Sequence, residues 1–341
     1  MKKIALLAMV FLSASAVILI LLFGLGSHSS VVKVSPEKEI KLCYNLGSSY
    51  AEYVSNSGIE CLSKVLLREL NSNSILDSKE NLETLSRANP GFSTLCHNSA
   101  HYAAKNYSID KGFSKDGLRV VTTDLCDSGL LHGYFEGLNS NAKILTKSKW
   151  KSVINICNEV SKKTQANCGD SVGHSATEMY KKNNIKAYEI CTLFSSEQSQ
   201  RECAEGVVME TYSPTTELKS AKVFDKTDPN ITCLPAKTFN NNINIGCAKG
   251  VGWFIGRNAQ LLFDNNIDFT DGQVSQAKIK LYASMRFCES LESNSESCVE
   301  RVLTTIERWV WTKPGYREEL CSAYIKYTEF CSFIIKRYAN S

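Results

Sequence analysis

Two hydrophobic rhythms divide the chain. Residues 4–23 are apolar except for Ser13 and Ser15, and Lys2 and Lys3 precede them. As a helix, a run of this length crosses a bilayer core. Its basic flank stays cytoplasmic and places whatever follows Gly24 outside. The small residues Gly24, Gly26 and Ser27 also suit a cleaved signal peptide, which would make the protein secreted. The run is longer than a usual signal core, which favours an uncleaved single-pass anchor over residues 1–26.

Beyond a polar linker at 27–36, apolar residues recur every three or four positions. Ile40, Cys43, Tyr44, Leu46 and Tyr50 fit one helical stripe, and Leu62, Val65, Leu66 and Leu70 fit another. Ser35-Pro36-Glu37 reads as a helix start, with Ser as N-cap and Pro in the first turn. Alternation of strand length is scarce; residues 118–123 (LRVVTT) are the best strand candidate. The polar stretch 72–90 predicts one short helix in a long connection. Pro214, Pro229, Pro235 and the Asn240-Asn241-Asn242 run predict loops or short helices over 212–242. The expected fold is therefore all-α over 37–341, with possible halves at 37–213 and 240–341.

The cysteines turn this helical pattern into a repeat. Cys157/Cys168, Cys191/Cys203, Cys233/Cys247, Cys288/Cys298 and Cys321/Cys331 each flank a short polar segment. The first Cys ends an apolar stretch and the second opens a new helical one, at a period of roughly 35 to 45 residues, the range of helix-hairpin repeats. Cys43 and Cys61 form an earlier pair. Cys96 and Cys126 both look like openers and are left to bridge each other. A hairpin cannot bury its apolar face alone and gains by stacking on neighbours. A disulfide across its neck removes unfolded-state entropy, roughly 2 to 3 kcal/mol for so short a loop. The expectation is a set of disulfide-stapled hairpins, either solenoid-like or an irregular bundle. The architecture is similar to that of tetratricopeptide-like solenoids, but their consensus residues are missing, so no function carries over.

Candidate chemistry is confined to three phrases: CHNSAHYAAK, CDSGLLHGYFEG and CGDSVGHSATEM, starting at Cys96, Cys126 and Cys168. They hold four of the five histidines in the chain. His97 with His101, His132 with Glu136, and His174 with Glu178 are each four residues apart, which puts each pair on one helix face. His101, His132 and His174 also share a repeat position, five or six residues after the Cys. Stacked repeats would bring these imidazoles and carboxylates together, a set suited to Zn, Fe, Mn or Cu rather than Ca or Mg. Glu205, Met209 and Glu210 would border such a site. The glycines Gly129, Gly133, Gly137 and Gly173 cost about 1 kcal/mol each in a helix interior against Ala, which is tolerable where helices approach closely or a ligand lies against backbone.

Composition narrows the rest. Fourteen cysteines, an even number with no Cys-x-x-Cys, fit a structural disulfide framework and exclude a zinc ribbon, a thioredoxin-type site and c-type haem attachment. A net charge of +4, interspersed, leaves no nucleic-acid footprint. No His-Glu-x-x-His, P-loop or dinucleotide fingerprint occurs. Two readings follow. One is a membrane-anchored extracytoplasmic protein with a transition-metal site, its reaction and catalytic residues unspecified. The other is a non-enzymatic solenoid binding a protein or glycan partner, its histidines serving as internal hydrogen-bonding groups.

Overall fold

The computed structural model describes residues 35–45, 56–75, 79–88, 90–122, 125–141, 145–159, 162–212, 229–264, 286–291 and 294–310. The apolar run at 4–23, Cys321 and Cys331 lie outside these residues. Among the described residues, every regular element is helical and no helix is long and apolar enough to cross a membrane.

The elements are α1 (Pro36–Asn45), α2 (Asn56–Asn71), α3 (Lys79–Ala88), α4 (Pro90–Lys111), α5 (Lys115–Val121), a 3-10 turn (Leu125–Ser128), α6 (Gly129–Asn141), α7 (Lys147–Asn158), α8 (Lys162–Met179), α9 (Asn184–Cys191), α10 (Glu197–Tyr212), α11 (Pro229–Lys237), α12 (Asn241–Asp264) and α13 (Ser295–Val310). Two rows emerge from their packing. The longer helices α2, α4, α6, α8, α10, α12 and α13 form an inner row, each lying against the next. Shorter helices back this row: α1 on α2, α3 on α4, α5 on α6, α7 on α8, α9 on both α8 and α10, and α11 on α12.

Local sequence explains the boundaries. Ser35 accepts from the amides of Lys38 and Glu39 through its carbonyl, so Pro36 occupies the first helical position, where its missing N–H costs nothing. The strand candidate at 118–123 is instead helical over its first four residues, in α5. Ser114 caps α5 by accepting from the Gly117 amide at 3.0 Å, and Leu118 and Val121, three apart, are both fully buried. A cap and a helical burial period outweigh β-branched content in so short a run.

Among the described residues, six disulfides join Cys43–Cys61, Cys96–Cys126, Cys157–Cys168, Cys191–Cys203, Cys233–Cys247 and Cys288–Cys298. Most tie the end of an outer helix to the first turns of its inner partner; Cys96–Cys126 instead ties α4 to the turn before α6. Bridges of this density belong to an oxidising compartment.

The inner row is tight because glycines face backbone. A Cβ at Gly133 would overlap the His101 carbonyl of α4, one at Gly173 the Cys203 carbonyl of α10, and one at Gly252 the Cys298 carbonyl of α13. Close helix approach, one of the two roles expected for these glycines, is therefore what the packing uses.

Candidate metal centre

α6 packs against both α4 and α8, and polar residues of the three helices form a seam along it. His97 and His101 stand one turn apart on α4. His132 reaches in from α6, its ring centroid 5.6 Å from that of His97 and 5.3 Å from that of His101. One ring nitrogen from each of these three histidines lies within 4.8 Å of the others, a grouping able to hold a metal ion.

Hydrogen bonds assign the tautomers. His97 donates from Nδ1 to the Cys126 carbonyl at 3.0 Å, and His101 donates from Nδ1 to Glu136 Oε1 at 2.7 Å. His132 donates from Nε2 to Asp170 Oδ2 at 2.8 Å. Each ring thus spends one N–H on a carbonyl or carboxylate and keeps its other nitrogen for a ligand, as metal-binding histidines do. The two Nε2 atoms of His97 and His101 face each other at 3.1 Å. Two bare lone pairs at that distance repel unless a proton or cation sits between them. Burial and the neighbouring imidazoles hold His97 well below the usual histidine range, and burial also lowers His132. A proton is disfavoured on His97 and on His132, leaving neutral nitrogens there, the form a metal needs.

The carbonyl that orients His97 is held by strained backbone. Cys126 and Ser128 adopt left-handed conformations, with φ of 54° and 65°. Such conformations in non-glycine residues persist where the surroundings impose them; here those are the Cys96–Cys126 bridge and the packing of α3, α4 and α6 around the turn.

His174, on α8, continues the seam. Its ring lies 5.3 Å from that of His132, and its Nδ1 meets Glu210 Oε2 of α10 at 3.2 Å. Nε2 faces Asp170 Oδ1 at 3.7 Å. Burial opposes charge on this ring, but Asp170, Glu210 and Glu136 outweigh it and raise His174 to about 9. Burial likewise works against charge on Asp170, yet His174 and His132 bring it down to about 2.

The sequence candidates are therefore placed unequally. His97, His101 and His132 converge, Glu136 braces His101, and His174 sits one position further along. Glu178 lies apart, exposed and accepting from Asn139 Nδ2 at 2.8 Å. Asp170, which joins His132 to His174, escaped the sequence reading, and Glu210 entered it only as a border residue. Asp170 stands four residues before His174, whereas only the residue four after was considered. The stronger signal lies between repeats: His101 meets Glu136 35 residues on, and His174 meets Glu210 36 residues on.

Glu205 belongs to a neighbouring charged group. It is 2% exposed and pairs with Arg301 of α13, while Glu202 lies 3.9 Å from Lys249 of α12. Burial and Glu205 raise the Glu202 carboxyl to about 7.

One motif in α8 must be set aside. Gly169-Asp170-Ser171-Val172-Gly173 spells Gly-x-Ser-x-Gly, the lettering of a nucleophile elbow. That elbow needs a strand-to-helix turn and an exposed serine. Here the five residues lie inside a helix and Ser171 is fully buried. Comparison with known protein families, curated proteins and solved structures returned no match to this chain.

Proposed function

We propose that this is a membrane-anchored extracytoplasmic helical-repeat protein that holds a transition-metal ion on His97, His101 and His132. The observation that carries this reading is three histidines whose ring nitrogens gather within 4.8 Å of one another, each with one N–H already committed to Cys126, Glu136 or Asp170. Zn²⁺ fits best. Tetrahedral coordination at about 2.0–2.1 Å separates ligand nitrogens by roughly 3.3 Å, close to the 3.1 Å between His97 and His101. Three imidazoles leave a fourth position for water or substrate, the composition of a catalytic rather than a structural zinc site. Partial exposure of the His101 and Glu136 side chains, 24% and 30%, keeps the seam open on that side. An ion held there would supply a Lewis acid and an acidified water, which suits hydrolytic chemistry. The apolar run at 4–23 behind two lysines supports the anchor, and the disulfides support an extracytoplasmic location.

Elemental analysis of the purified chain tests the reading. At least about one equivalent of metal should co-purify or load, chelator should remove it, and His97→Gln or His132→Gln should abolish this binding. A wild-type chain that takes up no metal and melts at the same temperature with and without chelator would leave the histidines as an internal hydrogen-bonding network.

A further inference from the structure

The seam does not end at the three-histidine cluster. His174 repeats its signature: Nδ1 is spent on the Glu210 carboxylate, and the buried Nε2 atom has no hydrogen-bond partner. The group nearest in charge is Asp170 Oδ1 at 3.7 Å, too far for a hydrogen bond. Two ligands of one ion, each about 2.1 Å from it, reach this separation when the angle between them opens to about 120°. The other oxygen, Oδ2, is already engaged with His132 Nε2.

We infer that the seam holds a second divalent transition-metal ion between His174 Nε2 and Asp170 Oδ1, with Asp170 serving both positions: it orients His132 toward the first ion and ligates the second. The inference rests on the three-histidine reading and extends it to a two-metal centre. Electrostatics agrees. Glu136, Asp170 and Glu210 place three carboxylates along the seam, a setting that favours cations; Lys105, whose Nζ is 3.8 Å from Glu136 Oε2, and Arg301, whose charge reaches Asp170, offset part of it. Only two protein atoms serve the second ion, and it must displace the proton that Asp170 and Glu210 favour on His174, so waters complete its shell and it binds more weakly than the first.

Titrating the metal-free full chain with Co²⁺, read by visible absorption and by metal content at saturation, tests this. Wild type should bind about two equivalents in two phases, a tight one from the three histidines and a weaker one. His174→Gln should lose the weak phase and keep the tight phase and its spectrum; His97→Gln should lose the tight one. Asp170→Asn should weaken both, and circular dichroism reports whether that variant folds. A single equivalent in wild type at saturation, or an unchanged weak phase in His174→Gln, overturns the second ion while leaving the first intact. No Co²⁺ uptake by wild type overturns both.

Discussion

At the residue scale, the imidazoles of the seam have opposed titrations, and this sets how the metal-free protein responds to pH. His174 is raised from 6.5 to about 9, so its stabilising charge is fully present below pH 6.5 and is lost as pH rises through 9. A shift of that size corresponds to at most about 3 kcal/mol. His97 and His132 are lowered, so their contribution is present above 6.5 and is lost as pH falls below it. In chelator, thermal stability should therefore peak near pH 6.5, and His174→Gln should flatten the alkaline side of that curve. Calorimetry across pH checks both; a stability that climbs steadily to pH 9 would contradict the assignment. The strained turn makes a separate prediction. Ser128, at φ 65°, should tolerate glycine with a gain of up to about 1 kcal/mol in denaturant unfolding. The histidines were legible in the sequence because their type and spacing are rare. Asp170 was not, since a carboxylate in a helical segment has the default reading of a solvated face, and only the neighbouring hairpin shows where it points.

Among the elements, the glycines set the distance between inner helices. In an isolated helix Gly173→Ala would gain about 1 kcal/mol. In this stack the new methyl meets the Cys203 carbonyl, and the net should be a loss of about 1 to 3 kcal/mol, read from the urea midpoint. Gly133→Ala should behave alike and also disturb metal uptake, because the carbonyl it strikes belongs to His101. Helix existence and the nearest-neighbour cysteine pairing were legible because periodicity and the spacing of Cys157, Cys168, Cys191 and Cys203 are local signals. Residues 118–121 misled because four residues carry too little periodicity to separate Leu118 and Val121 on a helix from the same pair on a strand. The cap at Ser114 was the better guide.

Across the whole molecule, the site belongs to no single hairpin. α4, α6, α8 and α10 each contribute, so it exists only when four successive inner helices are in register. What could not be read from the sequence was the contact between repeats: the pairings His101–Glu136, His132–Asp170 and His174–Glu210 each leap one repeat period, and nothing within a phrase signals its partner. The staples, by contrast, are strictly local. Each of the six joins a cysteine to the next one along the chain, so the first thiol to arrive after a given cysteine during threading from the N-terminus is its native mate. An oxidase that pairs thiols in order of emergence would produce this set without later shuffling, and export should demand an oxidant but no disulfide isomerase.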